Sequence, residues 1–278
     1  MRVTFAAMAS VTESTSPYSS LDSFSISELL HVINEEDRTV PMAVAKAIPQ
    51  LEKLVEVTTE RLQAGGRLFY IGAGTSGRLG IVDASECPPT YGVPHGLVIG
   101  LIAGGDSAIR KAVENAEDDW LAAQGDLKAF GVSPKDVVVG IAASGRTPYV
   151  AGGLKWCQSS GISTGCIVCN TESVVAGFAD FPVEIIVGPE VITGSTRMKA
   201  GTAQKLALNM LTTAIMVKLG KVRGNRMTHM QLSNEKLRER AVFMLKDLAK
   251  ISEEDARQLM ESHSSVEEAL QYLEGLKK

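Results

Sequence analysis

Short apolar runs alternate with longer segments of helical periodicity along most of the chain. The predicted strands lie at 68–71, 97–103, 136–142, 165–169 and 183–187. Each run is as short as a buried strand usually is, whereas the segments between the runs repeat apolar residues every three or four positions. Strands that alternate with helices in this way indicate an α/β domain.

Helices are predicted on both sides of these strands. Two of them precede the first strand, at 26–34 and from Pro41 to the glycines at 65–66. The segment that opens at Ile192 and reaches Leu219 is apolar over most of its circumference. Such a helix is buried, either in its own domain or against a second copy of the chain.

The two ends of the chain differ in character from the middle. Residues 234–278 predict three short helices, and capping boxes at 252–255 and 265–268 open the second and third. Their few apolar residues suffice for a small core only, which is typical of an interaction or assembly module. The Ser/Thr-rich start predicts a flexible tail. We therefore divide the chain into a tail (1–22), a main domain (23–233) and a helical C-terminal module (234–278).

Composition narrows the function classes. The 278 residues include 45% apolar residues, and 28 basic and 32 acidic residues give a net charge of −4. This balance predicts neither a nucleic-acid-binding nor a membrane-binding surface. No apolar run is long enough to span a bilayer, and the apolar part of 1–10 is too short for a secretory signal. A cytoplasmic protein is expected.

The cysteines and histidines do not predict a metal site. Cys166 and Cys169 form a C-x-x-C, but they lie in a predicted strand, where a spacing of three puts the side chains on opposite faces. Neither a second cysteine pair nor a nearby histidine completes a ligand set, so buried structural thiols are expected.

A glycine-rich turn follows the first strand. Gly72, Gly74 and Gly77 surround Thr75 and Ser76, and a short helix is predicted at 80–84. A strand, such a turn and a helix N-terminus form an anion site, and hydroxyl donors suit a phosphomonoester. The spacing also fits the dinucleotide fingerprint, but the acidic residue that this motif requires comes later than expected, at Asp106.

A second turn repeats the plan of the first. Ser144, Gly145, Arg146 and Thr147 follow the strand at 136–142, and Pro148 opens a helix. Two such turns on neighbouring parallel strands can converge on one phosphate. The alternative is that Ser144 and Thr147 only cap the helix. Ser195 or Thr196 is likewise expected to be the N-cap of the long helix before residue 219.

Four acidic residues lie on a helix that periodicity predicts over 106–123. Its apolar residues recur at helical spacing, and Glu117 lies roughly 70° from the centre of the buried face. A carboxyl group at this boundary is a candidate acid or base. Periodicity alone nevertheless favours a solvated face formed by Glu114, Glu117, Asp118 and Asp119. Glu86 is expected just past the helix at 80–84, before two prolines.

Long strings of the sequence resemble one known family. The strings are GAGTSGRLGIVDASECPPTYG, LIAGGDSAIRKAVENAEDD, IAASGRTPYV and VGPEVITGSTRMKAGTAQKLALNM. They closely resemble the N-acetylmuramic acid 6-phosphate etherases, which belong to the sugar isomerase (SIS) fold group and are related to the glucokinase regulatory protein. The likeness covers roughly residues 23–247.

The resemblance implies a three-layer αβα sandwich with a central parallel sheet. It also implies a homodimer that binds a phosphorylated amino sugar near the subunit interface, without a metal or redox cofactor. By motif position the catalytic glutamates of the family are Glu86 and Glu117, against the solvated-face interpretation. The residues expected to bind substrate are Gly74, Thr75, Ser76, Gly77, Arg78, Ser144, Gly145, Arg146, Thr147 and Ser195.

The implied reaction releases D-lactate from C3 of the sugar. Ring opening exposes an aldehyde that acidifies the C2 proton, lactate leaves by elimination, and water adds to give N-acetylglucosamine 6-phosphate. Glu86 is expected to protonate the departing oxygen and activate the water, and Glu117 to act at C2 or in ring opening. Two alternatives stay open, a sugar-phosphate isomerase and a non-catalytic sugar-phosphate-sensing regulator.

Overall fold

The computed structural model of the chain describes residues 10–276. The expectation that the first ten residues are no secretory signal lies almost wholly outside this range. The strands are β1 (Leu68–Gly72), β2 (Val98–Ile102), β3 (Val137–Ala142), β4 (Ser163–Val168) and β5 (Phe181–Glu184). The helices are α1 (Ile26–Asp37), α2 (Val40–Gln63), α3 (Gly74–Tyr91), α4 (Ser107–Arg110), α5 (Ala122–Ala129), α6 (Pro148–Ser159), α7 (Lys199–Lys218), α8 (Glu235–Ala249), α9 (Glu253–Ser262) and α10 (Val266–Leu276).

The five strands form one sheet in the order β2-β1-β3-β4-β5, and all neighbouring pairs are parallel. In the register, Leu68 of β1 lies opposite Val98 of β2 on one side and Val137 of β3 on the other. The predicted α/β class with a parallel sheet is therefore confirmed.

Helices cover both faces of the sheet. Leu68 and Tyr70 of β1 point into a core that includes residues of α2, α3 and α7, whereas Phe69 and Ile71 point into a second core with α5 and α6. This alternation follows from the period of two along a strand, and burial on both faces explains why the strands read as continuous apolar runs. The three-layer sandwich is confirmed.

The cysteines also follow this alternation. Cys166 lies in the core on the α6 side and Cys169 in the core on the α7 side, so the predicted opposite faces are confirmed. Both thiols are free, and burial raises the pKa of each to about 12. A thiol that is protonated at neutral pH is a poor metal ligand and a poor nucleophile.

The helix predicted over 106–123 is wrong. The segment contains only the short α4, an irregular stretch, a 3-10 turn at Ala116–Asp118, and then the start of α5. Lys111 is extended and Asn115 is left-handed with φ of 60°, and neither conformation continues a helix. Asparagine adopts this conformation more readily than most residues, and the apolar periodicity did not report it.

The short helix predicted at 80–84 is also wrong in its length. α3 runs for 18 residues and includes Pro88 and Pro89 in its last turn, so Glu86 lies inside it. Gly92 ends the helix, because its left-handed backbone (φ 62°) lets its N–H donate to the carbonyl oxygen of Pro88.

The start of the described chain packs against the main domain. Thr12 is completely buried in a 3-10 turn at Val11–Glu13, where the sequence predicted a flexible tail. The sequence does not reveal this contact, because hydrogen bonds rather than buried apolar side chains hold the segment.

The bounds of the predicted tail, main domain and C-terminal module stay a prediction.

The C-terminal helices have a core of their own. α8, α9 and α10 pack around buried residues that include Val242, Leu245 and Leu270. The hydroxyls of Ser252 and Ser265 accept hydrogen bonds from the N–H groups three residues later, which is one half of each predicted capping box. Within residues 10–276, no helix is long and apolar enough to cross a membrane.

The carboxyl group of Asp83, on α3, is half-buried and faces β1 and α7. The hydroxyl groups of Tyr70 (β1) and Thr212 (α7) donate hydrogen bonds of 3.0 Å to the two oxygens of Asp83. Burial outweighs these bonds and raises the pKa of Asp83 to about 6. The ionised carboxylate is therefore held at a cost in folding free energy.

We expect this group to make stability depend on pH. Because the folded pKa lies above the unfolded value, its contribution is present below pH ~4 and is lost as the pH rises through 6. Between pH 4 and pH 8, urea unfolding should show wild type losing about 2–3 kcal/mol relative to Asp83→Asn. The exposed Asp22→Asn serves as a control and should parallel wild type. Parallel curves for Asp83→Asn and wild type would contradict the expectation.

Candidate functional site

The strand order places the two glycine-containing turns side by side. β1 has β2 on one side and β3 on the other, so the order of the sheet reverses between β1 and β3. Parallel sheets bind ligands outside the carboxyl ends of strands at such a point. The turn after β1 and the turn after β3 meet here.

A cleft of about 390 Å³ lies between these turns. Seven of the residues predicted from the sequence line it: Gly74, Thr75, Ser76, Glu117, Ser144, Arg146 and Thr147. Residues that sequence reasoning did not assign to the site also line it, including Glu13, Asp118 and Thr196. The structure thus brings together the first turn, the second turn and one of the two predicted glutamates.

The first turn leads directly into α3. In the described part of the chain no side chain caps the N-terminus of this helix, so its first N–H groups are available to an anion. The hydroxyl of Ser76 donates a 2.8 Å hydrogen bond to the Oε1 atom of Gln204, a fully buried residue of α7. Gly77 does not line the cleft. A β-carbon added at this position would lie only 2.6 Å from the side chain of Ile102, so a larger residue does not fit there.

The second turn leads into α6 in the same way. Gly145 is left-handed, with φ of 66°, and does not line the cleft. The hydroxyl of Ser144 accepts a 3.3 Å hydrogen bond from the N–H of Arg146, and the side chain of Thr147 makes no capping hydrogen bond. The capping role that was the alternative for Thr147 is therefore not observed, and the start of α6 also offers N–H groups to the cleft.

Glu117 reaches the cleft from a 3-10 turn, not from a helix. The carboxylate of Asp119, just after this turn, accepts hydrogen bonds from the N–H groups of Leu121 (2.8 Å) and Ala122 (3.1 Å) and so fixes the connection to α5. All four acids of the segment are exposed, but they share no helical face. The prediction that Glu117 lies at the boundary of a buried helical face is thus wrong. Glu117 nevertheless lies where an acid or base can contact a bound ligand.

Glu86 does not line the cleft of its own chain. It lies in α3, 12 residues after Gly74, which places it about 18 Å further along the helix. Its side chain is exposed. An exposed acid at this distance can act in a cleft only if that cleft belongs to another subunit.

Ser195 is also outside the cleft, and Arg78 lines an adjoining cavity of about 240 Å³ that shares Gly74 and Glu117 with the cleft. The guanidinium of Arg78 donates 2.8 Å hydrogen bonds to the carbonyl oxygens of Ala108 and Ile109, which fixes α4 against α3. Ser195 lies in the loop before α7, where Thr196 lines the cleft instead. The substrate contacts predicted for Arg78 and Ser195 stay predictions.

A buried carboxylate, not a hydroxyl, caps the long helix. Glu190 is fully buried and accepts hydrogen bonds from the N–H groups of Lys199 (2.8 Å) and Ala200 (2.9 Å). The predicted N-cap at Ser195 or Thr196 is therefore wrong: Met198 occupies that position. A carboxylate near a helix N-terminus is favourable. Because eight loop residues separate Glu190 from α7, no local sequence motif predicts this cap.

No group of three or more His, Cys, Asp or Glu side chains that could bind a metal ion occurs within residues 10–276. The donors that surround the cleft are backbone N–H groups, hydroxyls and the Arg146 side chain, whereas the carboxylates of Glu117 and Asp118 are acceptors. These groups suit an anionic ligand that also carries hydrogen-bond donors.

Comparisons with family models define the class of protein. A SIS domain model matches residues 126–214, and a model of the glucokinase regulatory protein N-terminal SIS domain matches residues 50–158. A phosphoheptose isomerase from Francisella tularensis has a TM-score of 0.55 at 16% identity, over 70% of this chain and 100% of that chain. The Vibrio vulnificus NanR protein, solved with ManNAc-6P, has a TM-score of 0.51 at 14% identity, over 70% and 65%. The chain is a SIS-domain protein.

Curated relatives are much more similar. The N-acetylmuramic acid 6-phosphate etherase of Christiangramia forsetii is 56% identical over 93% of this chain and 94% of its own length. The etherase of Pectobacterium atrosepticum is 52% identical over 90% of this chain and 83% of its own length. The chain belongs to the N-acetylmuramic acid 6-phosphate etherase family.

The second turn provides a direct test of the site. In Gly145→Ala the new β-carbon would overlap the side chain of Ser173, and the left-handed backbone would be strained. We expect a loss of about 1–3 kcal/mol in urea unfolding and weaker binding of inorganic phosphate by calorimetry.

Gly125→Ala is the matched control. This glycine lies in α5 with open space around its β-carbon position, so the substitution should leave phosphate binding unchanged and stability equal or up to ~1 kcal/mol higher. Equal phosphate affinity in Gly145→Ala and wild type would show that the second turn does not hold the anion.

Proposed function

We infer that this chain is a carbon–oxygen lyase that cleaves the D-lactyl ether of N-acetylmuramic acid 6-phosphate. The products are N-acetylglucosamine 6-phosphate and D-lactate. The observation that carries this conclusion is the cleft, which joins two turns with free helix N–H groups to Glu117 in a chain 56% identical to an etherase over 93% of its length.

The phosphate of the substrate is proposed to bind between the two turns. Both α3 and α6 begin there without side-chain caps in the described residues, so each presents N–H groups and a favourable dipole. The hydroxyls of Thr75, Ser144 and Thr147 add donors around the same cleft. Holding the phosphate this way fixes the distance from the phosphate to C2 and C3 of the open-chain sugar.

The elimination requires two proton transfers. A base removes the C2 proton, which the C1 aldehyde has acidified, and an acid protonates the ether oxygen at C3 as lactate leaves. The same acid, now a carboxylate, then activates water for addition to the unsaturated aldehyde. We propose that Glu117 acts at C2 or in ring opening, and that Glu86 protonates the ether oxygen.

This division of labour makes different predictions for the two variants. Glu117→Gln should lower D-lactate release about 100-fold or more, because glutamine can neither accept nor supply the proton. Glu86→Gln should lose lactate release to a similar extent but still exchange the C2 proton with solvent deuterium, as followed by NMR. Glu60→Gln, which changes an exposed acid of α2 away from the cleft, is the control and should retain activity.

Normal lactate release by Glu86→Gln would show that Glu86 is not the acid. Loss of both lactate release and deuterium exchange in Glu86→Gln would refute the assignment of separate steps. A sugar-phosphate isomerase on this fold would instead convert a ketose phosphate to an aldose without releasing lactate. Incubating wild type with a ketose phosphate and looking for the aldose therefore tests that alternative.

We further propose a homodimer in which each cleft receives Glu86 of the partner subunit. The distance of Glu86 from its own cleft supports this arrangement. Glu86 lies on α3, and exposed apolar side chains occur on α3 and on the neighbouring α7. They are Val82 on α3 (57% exposed), and Met210 (42%) and Val217 (45%) on α7. Val82 and Glu86 are four residues apart and so share one face of α3. An apolar surface of this kind is typical of a subunit interface.

Mixing two inactive variants tests this dimer. If the two glutamates of one site come from different subunits, heterodimers of Glu86→Gln and Glu117→Gln contain one intact site. Unfolding and refolding an equal mixture should then restore roughly a quarter of wild-type lactate release, since half of the dimers are mixed. Each variant refolded alone is the control. A refolded mixture that forms dimers but stays inactive would place both glutamates in one subunit.

The cytoplasmic location that the sequence predicts stays a prediction.

A further inference from the structure

The N-terminal strap, residues 10–16, crosses the rim of the cleft. At one end Thr12 is fully buried; its N–H donates to the Oδ1 atom of Asn170 (3.3 Å), and the Nδ2 atom of Asn170 donates to the Thr12 hydroxyl (2.9 Å). At the other end the N–H of Ser16 donates to the hydroxyl of Thr193 (2.9 Å), and the Ser16 hydroxyl donates to the carbonyl oxygen of Val191 (2.6 Å).

These anchors connect the strap to two walls of the cleft. Asn170 also donates hydrogen bonds to the carbonyl oxygens of Ala143 (3.3 Å) and Ser144 (3.2 Å), which belong to the second turn. Val191 and Thr193 lie in the loop that leads to α7. The strap is therefore fixed on both sides of the cleft, and the residues between its anchors have a defined position.

Glu13 lies between the two anchors and lines the cleft. Its Oε2 atom approaches to 3.1 Å from the β-carbon position of Gly194, in the loop before α7. The side chain is exposed, and its carboxylate makes no hydrogen bond or ion pair with any of residues 10–276. Glu13 thus carries a negative charge into the cleft without a protein partner there.

The charge and hydrogen-bonding chemistry of this carboxylate select its ligand. An ionised carboxylate accepts hydrogen bonds and repels a phosphate, so Glu13 must face a different part of the substrate from the two turns. The rest of an amino sugar phosphate offers hydroxyl O–H and acetamido N–H donors. A hydrogen bond from such a donor to a charged acceptor is stronger than one between neutral groups.

We propose that Glu13 is a specificity-determining residue that accepts a hydrogen bond from a sugar hydroxyl or the acetamido N–H of the substrate. The proposal rests on the proposed function, because it takes the cleft to be the substrate site. It assigns the N-terminal strap to the site, although no apolar or motif pattern in the sequence marks it.

Calorimetric titration with two ligands tests the proposal. N-acetylglucosamine 6-phosphate contains the sugar donors, and inorganic phosphate does not. Glu13→Ala should bind the sugar phosphate at least about tenfold more weakly, while its affinity for inorganic phosphate stays equal or rises because a negative charge is removed. The kcat/KM for lactate release should fall by a similar factor. Glu13→Gln keeps an oxygen acceptor without the charge and should lie between Glu13→Ala and wild type.

Asp22→Ala, which removes an exposed acid of the same N-terminal region outside the cleft, is the control and should match wild type for both ligands. Equal weakening of both ligands by Glu13→Ala would mean that Glu13 only supports the strap, and unchanged binding of both would mean that it touches no substrate. Either result overturns the proposal. If wild type itself releases no lactate, the proposed function fails first, which is a distinguishable outcome.

Discussion

The site depends on the N–H groups at the starts of α3 and α6. Because every strand pair in the sheet is parallel, each carboxyl end opens at the same edge, and the reversal of strand order between β1 and β3 brings these two helix starts together. Within the described chain neither helix has a side-chain cap, so backbone donors face the cleft. A phosphate satisfies such donors well, because it combines negative charge with several acceptor oxygens.

Buried polar contacts hold this arrangement from behind. Gln204 accepts the hydrogen bond from Ser76 in the first turn, Asn170 holds the carbonyls of the second turn, and Glu190 holds the start of α7. All three side chains are buried and come from outside the two turns. The parallel sheet sets the position of the two turns, and these side chains hold the turns in place, as the proposed anion site requires.

The sequence predicted what buried apolar runs and local turn chemistry determine. Runs such as 68–71 and 136–142 identified the strands, and the glycine, hydroxyl and helix order around Thr75 and Thr147 identified both turns. Apolar periodicity failed at 106–123, because the left-handed Asn115 breaks a segment whose pattern still looks helical. Glu117 was therefore assigned through the family resemblance, and the geometry used for it was wrong.

Long-range polar contacts explain the remaining differences. The cap from Glu190 and the hydrogen bonds between Thr12 and Asn170 join residues far apart in the sequence, so no local pattern reports them. The proposed dimer has the same origin, since only the length of α3 shows that Glu86 is remote from its own cleft. A crystal structure with N-acetylglucosamine 6-phosphate would show where the phosphate binds. We expect the phosphate within hydrogen-bonding distance of the N–H groups of both turns, with C2 and C3 beside Glu117. A phosphate bound away from these two helix starts would contradict this expectation.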